Sequence, residues 1–256
     1  MTVILVDLGN TALKWATSDD PEQPHTFVHC GSNTLPEGLI EEWFSLRPSR
    51  MVGCMVSSEP LALSMARIFN RANIKWDWLH SEPMFDGEDF RLYNRYENTA
   101  QLGSDRWYAA IGAASLYKNQ AVIVVHMGTA TTVDTVLPCA DGQEFVGGMI
   151  LPGPAMMYKS LVKNTHCRPD GVGKRCDFPN NTRDAISNGI LEAHLGVIER
   201  ACRMVHARGF TPNIVFAGGA APILAPYITE QHPQAVRKHN LVLRGLSLCA
   251  KYMSVD

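Results

Sequence analysis

The segment VILVDLGNTALKW at residues 3 to 15 returns in altered form as VIVVHMGTATTVD at 122 to 134: an apolar run, a short turn holding a glycine, and a second run. Setting Val6-Asp7-Leu8-Gly9-Asn10-Thr11 beside Val125-His126-Met127-Gly128-Thr129-Ala130 separates the two copies by 119 residues. With 256 residues, the chain is long enough for two similar halves, each with its own core. No shorter period repeats, so a solenoid is excluded. Halves at 1–118 and 119–256 are therefore expected. At the end of the first apolar run, Asp7 of the first copy is answered by His126 of the second.

Each half begins with strands and continues into helices. In the first, TVILVDLG and ALKWATS form a hairpin, HTFVHC at 25–30 reads as a third strand, and LPEGLIEEWF at 35–44 has helical spacing. RMVGCMVSS at 50–58 reads as a buried strand, PLALSMARIFNRA at 60–72 as a helix opened by proline, and NIKWDWLH as a short strand. Residues 81–98 are polar and read as a long irregular connection of the kind that carries function, before a helix over 102–117. The second half repeats strand, glycine turn and strand over 120–137, and EFVGGMILPG at 144–153 supplies a third strand. Helices are expected near 154–163 and over 182–209 and 241–253, with PNIVFAGGAAPIL at 212–224 a strand running into a glycine turn.

Charge removes several functions. The formal net charge of -2 provides no footprint for nucleic acid or an anionic membrane surface. No apolar run reaches the ~20 residues of a bilayer span, and the N-terminus opens on a strand pattern, so a cytoplasmic protein is the default expectation. Seven scattered cysteines without a C-x-x-C pair suggest neither a disulfide framework nor a zinc site, and are expected to be reduced and mostly buried. His166, Cys167 and Cys176 lack metal-ligand spacing, and GVGKR at 171–175 fails as a P-loop because Arg175 stands where a hydroxyl residue is needed. Lys163, Arg168, Lys174 and Arg175 make the preceding loop basic, either as a lid over phosphates or as a solvated loop.

A turn of glycine with Asn, Thr or Ser can aim backbone N–H groups and hydroxyls at an anion. Either turn alone also fits a plain tight hairpin, but two at corresponding places suit a clamp on a polyphosphate. Asp7 adds a hard oxygen ligand for hydrated Mg²⁺, and Lys14 a phosphate contact.

DLGNTALKW resembles the first phosphate motif of the actin-like ATPase superfamily, HMGTATTVD its second, and FAGGAA at 216–221 its adenosine-side glycine turn. With YENTAQLGSDRW at 96–107, GGMILPG at 147–153 and TRDAISNGI at 182–190, the chain resembles the type III pantothenate kinase family, also called the Bvg accessory factor family, from Val3 to about Leu246. The resemblance implies an α/β fold of duplicated actin-like ATPase (ribonuclease H-like) domains with nucleotide in the cleft between them, usually as a homodimer. It also implies transfer of a phosphoryl group from ATP to pantothenate, the first step toward coenzyme A.

Phosphorylating an alcohol requires a base for its proton, a metal on the phosphates and alignment of the two substrates. Asp105, at the start of a helix where backbone N–H groups and Arg106 would keep it ionised, is the candidate base; a first-turn carboxylate paired with its neighbour is the plainer reading. By resemblance, Gly103, Ser104, Asp105 and Arg106 bind pantothenate, with Arg106 on its carboxylate, and Tyr96 and Thr182 are further substrate contacts. Read alone, Tyr96 is a loop aromatic and Thr182 a helix cap. For ATP the resemblance covers Asp7, Leu8, Gly9, Asn10, Thr11, Ala12, Leu13 and Lys14 with Thr129.

In the family, the position of His126 is usually an aspartate that helps to bind a monovalent cation. Imidazole offers no hard anionic oxygen, so weakened or absent K⁺ (or NH₄⁺) dependence is expected, with His126 either protonated or hydrogen-bonded in the cleft wall. A kinase for another small alcohol, and an accessory protein of the same fold without catalysis, remain open at this stage.

Overall fold

The computed structural model describes residues 2–56, 59–166 and 168–253 and resolves into two compact units. The first comprises Met1–Asn119, Pro138–Val146 and His239–Asp256; the second comprises Gln120–Leu137 and Gly147–Lys238.

In the first unit, β1 (Val3–Leu8) and β2 (Ala12–Thr17) form the expected hairpin, followed by β3 (Asp20–Val28). Then come α1 (Glu37–Ser45), β4 (Arg50–Met55), α2 (Glu59–Arg71) and β5 (Lys75–Leu79). The sheet order is β3-β2-β1-β4-β5, with β1 antiparallel to β2 and parallel to β4. The third strand starts five residues earlier than the sequence pattern indicates, and includes Pro21 and Pro24. Its place at the sheet edge explains this, since an edge strand tolerates residues that cannot donate to the ladder. Ile4, Val6, Leu8, Trp15, Trp43 and Phe69 fill the core beside the sheet, with Trp15 edge-on to Trp43 and Trp43 stacked on Phe69. Residues 57 and 58 of the expected buried strand lie outside the described residues.

The polar connection at 81–98 is more ordered than expected. It contains a hairpin of β6 (Met84–Asp86) and β7 (Arg91–Asn94), in which Phe85 and Leu92 turn inward while charged neighbours face solvent. A short 3-10 turn over Thr99–Gln101 leads into α3 (Ser104–Leu116).

The second unit is built from β8 (Val122–Met127), β9 (Ala130–Cys139), β10 (Gly142–Pro152), α4 (Pro154–Asn164), α5 (Thr182–His206), β11 (Asn213–Ala217), α6 (Ala221–Gln231) and β12 (Val236–Arg237). Its strand order is β10-β9-β8-β11-β12, with β8 antiparallel to β9 and parallel to β11. This is the order and polarity of the first sheet with each strand replaced by its counterpart. The duplication seen in two turns therefore extends to the topology of both sheets.

The sequence pattern indicates no helix between the glycine turn at 218–219 and residue 241, yet α6 runs from Ala221 to Gln231 and contains Pro226. Helix α7 (Leu241–Ala250) closes the chain and belongs to the first unit, packed on α3, where Gly112 meets the Leu241 backbone and Gly245 the Tyr108 backbone too closely for any β-carbon. The start of β10 also counts with the first unit, because Gln143, Glu144 and Phe145 pair with β7. These two returns of the chain are the segments that a division at 118/119 would assign to the second half.

Among the described cysteines, only Cys54 and Cys202 are buried; Cys139 and Cys249 are half-buried, and Cys30 and Cys176 are exposed. Mostly buried thiols were expected, but turns and the outer faces of elements hold more of them than the core does. Cys167 lies outside the described residues. No described helix is long and apolar enough to cross a membrane.

Candidate active site

Asp7 is the penultimate residue of β1 and sits opposite Lys14 of β2, with Lys14 Nζ 3.6 Å from Asp7 Oδ2. Only 7% of Asp7 is exposed. Burial raises its carboxyl above the ordinary range, opposed by the Lys14 charge and reinforced by the negative charge of Asp105. Asn10 and Thr11 at the turn are exposed, while Leu8 and Leu13 face the core. The motif thus divides by the pleat, with apolar side chains anchoring the hairpin and the polar turn left outside.

Asp105 lies in the first turn of α3, half-buried, and its Oδ1 accepts a 2.8 Å hydrogen bond from the Arg106 N–H. The side chain folds back over Gly103, where a β-carbon would stand 2.8 Å from Oδ1. Burial raises the Asp105 carboxyl, outweighing the Arg106 N–H, the Arg106 charge and Lys14, which act to lower it. The Arg106 N–H and charge thus act in the expected direction, favouring the ionised form, against a burial effect that the sequence does not show. The Arg106 guanidinium is engaged elsewhere: Nη1 donates to Tyr96 Oη at 3.0 Å, and the group lies 5.7 Å from the centroids of both the Tyr96 and Phe145 rings. Ser104 Oγ donates to the Met55 carbonyl at 3.2 Å. Beneath them Cys54, paired in register with Asp7, has its thiol pushed well up by burial and then by the charges of Asp7 and Asp105. The first unit therefore brings together the hairpin acid, the candidate base, and Tyr96 with Arg106. Sequence reasoning passed over Cys54, whose apolar strand context is indistinguishable from that of a core residue.

In the second unit, His126 is the penultimate residue of β8, matching Asp7 in β1. The two hairpins differ by one residue: Asp7 faces Lys14, seven positions on, whereas His126 faces Thr132, six positions on. Gly128 N–H donates to the Ala130 carbonyl at 2.9 Å, and Gly153 N–H to the Thr129 carbonyl at 2.9 Å. Gly153 lies against the carbonyls of Gly128 and Thr129, and Gly218, at φ +106°, against the Met127 backbone; a β-carbon at either would clash. Three glycine motifs far apart in sequence thus converge on the turn that holds Thr129. Below it, His194, missed by sequence reasoning, is fully buried, with Nε2 3.1 Å from Thr131 Oγ1 and Nδ1 2.7 Å from the Ile190 carbonyl. Nδ1 donates to the Ile190 carbonyl, and burial pushes the imidazole pKa down.

Thr182 is the first residue of α5, but Asn181 is the cap, its Oδ1 accepting from the Asp184 N–H at 3.0 Å. Reading Thr182 as the cap is corrected: Asn181, one position earlier, is extended and reaches the amide three residues on. Thr182 borders a groove of about 890 Å³ between α4 and the start of α5, lined largely by apolar side chains including Met157, Leu161, Ile186 and Ile190. Of the basic loop, Arg168 donates to the Val162 and Thr165 carbonyls at the end of α4, and Arg175 pairs with Glu230 over the Tyr227 ring.

A family model for type III pantothenate kinase matches residues 3–204. The chain belongs to the type III pantothenate kinase family. Curated relatives of that name include one from Herminiimonas arsenicoxydans, 38% identical over 97% of each chain, and one from Nitrosospira multiformis (strain ATCC 25196 / NCIMB 11849 / C 71), 35% identical over 98% of this chain and 92% of its own. Among solved structures, a Campylobacter jejuni protein named for the Baf family of transcriptional activators superposes with a TM-score of 0.61 at 22% identity, covering 97% of each chain. A Sinorhizobium meliloti protein named for 2-dehydro-3-deoxygalactonokinase superposes at 0.53 with 12% identity, covering 97% of this chain and 98% of its own. At these identities the structural likeness speaks for the fold alone, which is that of duplicated actin-like domains. The enzyme is a phosphotransferase with an alcohol acceptor.

The family works with ATP and a divalent metal. Among the described residues no group of three or more His, Cys, Asp or Glu side chains is arranged to hold a metal ion. Asp7 nevertheless fits hydrated Mg²⁺, which is held by one or two carboxylates together with waters and substrate phosphates. Its carboxylate is buried at cost with only Lys14 opposing that cost, so a second positive charge at the exposed turn would be stabilising.

Proposed function

We propose that the enzyme phosphorylates pantothenate to 4′-phosphopantothenate with Asp105 as the general base. The observation that carries this assignment is the placement of Asp105 in the first turn of α3, turned back over Gly103 and near enough to Asp7 for its charge to raise that carboxyl, while burial raises its own. A carboxylate raised by burial is a stronger proton acceptor than one in water, as a base at neutral pH requires. Asp105 takes the proton of the primary hydroxyl, the hydroxyl oxygen forms a bond to the γ-phosphorus, and the bond from that phosphorus to the β,γ-bridging oxygen breaks to release ADP. Mg²⁺ held by Asp7, when bound, neutralises charge on the phosphate oxygens.

The segment Asp7, Leu8, Gly9, Asn10, Thr11, Ala12, Leu13 and Lys14 contacts ATP, Lys14 through its ammonium, and Thr129 contacts it from the second turn. Arg106 receives the pantothenate carboxylate, with Tyr96, Gly103, Ser104 and Thr182 as further contacts. Support for Arg106 is its preorganisation: 6% exposed, held by the Tyr96 hydroxyl and flanked by two rings.

His126 removes the anionic oxygen from the cation position, so the enzyme works without a strong K⁺ requirement. It is a cytoplasmic homodimer; supporting association are Ile150, Met156 and Leu161, exposed apolar side chains of β10 and α4. The test is product analysis by mass spectrometry after incubation with ATP, Mg²⁺ and pantothenate. Pantothenate gaining one phosphoryl group on its primary alcohol is expected; turnover of a different small alcohol in a substrate panel, with none of pantothenate, would reject the reading.

A further inference from the structure

His29 stands just past the end of β3 and is 4% exposed. Its Nδ1 accepts from the Gly31 N–H at 3.1 Å, so the neutral ring carries its proton on Nε2, which lies 2.9 Å from the Gly9 carbonyl and donates to it. The His29 and Cys30 N–H groups both donate to the Thr11 carbonyl, at 3.0 and 3.1 Å. The curl that returns Gly31 to the ring runs through two residues at positive φ, Cys30 at +48° and Gly31 at +86°. For cysteine that conformation is strained, and it persists only where the surroundings enforce it.

A trans peptide points its carbonyl and its N–H in opposite directions. Drawing the Gly9 carbonyl onto His29 therefore aims the Asn10 N–H away from His29, and drawing the Thr11 carbonyl onto the strand end does the same for the Ala12 N–H. Asn10 and Thr11 are the exposed residues of this turn. We infer that His29 is a positioning residue for ATP: its Nε2–H fixes the orientation of the first phosphate turn, presetting the amides that meet the phosphates. This inference rests on the proposed role of that turn. Preorganised donors lower the cost of ordering on binding, so the effect falls on nucleotide affinity and leaves pantothenate affinity alone.

Two substitutions separate the two ring nitrogens. His29→Gln places an amide N–H donor near Nε2, and His29→Asn places an acceptor near Nδ1 without the donor. Measurements are the dissociation constant of a non-hydrolysable ATP analogue with Mg²⁺ by calorimetry, the KM for ATP and for pantothenate, and thermal unfolding. The expected result is a loss of nucleotide affinity of about tenfold in His29→Asn, the size of one net hydrogen bond, with restoration toward wild type in His29→Gln and an unchanged KM for pantothenate. Equal nucleotide affinity in wild type and His29→Asn would overturn the inference, as would equal losses in both variants that follow their thermal stability. Because analogue binding is read without the acceptor, a wrong assignment of pantothenate appears only in the KM arm and leaves this test standing.

Discussion

Asp7 and Lys14 face each other across the first hairpin, 3.6 Å apart, with the carboxylate buried and the ammonium partly exposed. Burial raises the Asp7 carboxyl and Lys14 pulls it back down. Replacing Lys14 by Gln removes the opposing effect and moves the carboxyl higher still. A carboxyl with a raised folded-state pKa costs stability while ionised and ceases to do so as the pH falls through that pKa. Lys14→Gln is therefore expected to unfold at a lower temperature than wild type at pH 8, with the gap closing on acidification. Thermal unfolding from pH 8 to pH 4 checks this, and a gap that does not vary with pH would show that the pair is not coupled.

Arg106 donates to the Tyr96 hydroxyl and lies against two rings, and its proposed partner is the planar carboxylate of pantothenate. Lysine keeps the charge but loses the fork and the stacking surface. Arg106→Lys is expected to raise the KM for pantothenate by about 10- to 100-fold, in line with one charge-assisted hydrogen bond, while the KM for ATP is unchanged. Steady-state kinetics with each substrate varied in turn decides it.

The second turn depends on two glycines that allow backbone to meet backbone. Gly218→Ala introduces a β-carbon against Met127 at a positive φ, and is expected to destabilise the fold by about 1–3 kcal/mol and to weaken nucleotide binding. Urea unfolding and nucleotide titration report the two effects separately. Unaltered values for both would mean that the turn tolerates displacement.

Much of this architecture was legible because two short segments share a pattern and β-sheet topology followed from it. The sheet order of the first unit recurs in the second, and Asp7 and His126 occupy the same strand position. What escaped was set by contacts between distant residues. The β6–β7 hairpin is short and charged on its outer face, so its inward Phe85 and Leu92 give too brief an alternation to register. Helix α6 was hidden by Pro226, and the return of α7 to the first unit depends on Gly112 and Gly245, whose use in close packing has no local signature. The surroundings of Asp105 were only partly legible, because the sequence shows its charged neighbour but not that Arg106 turns to Tyr96 or that burial raises the carboxyl.

His126 faces Thr132 where Asp7 faces Lys14. With imidazole at that position, the rate in K⁺ is expected to match the rate in Na⁺, and His126→Asp is expected to gain stimulation by K⁺. A wild-type requirement for K⁺ as strong as that of the variant would refute this account of the position.

The central claim is that Asp105 accepts the proton of the pantothenate hydroxyl. Its most direct test is the rate of pantothenate-dependent ADP release at saturating ATP and Mg²⁺ for wild type and Asp105→Asn. The account predicts turnover by wild type and a fall in kcat of about 10²- to 10⁴-fold in the variant, with ATP still bound. Equal rates in the two proteins, or nucleotide binding by wild type with no pantothenate-dependent ADP at all, would contradict it.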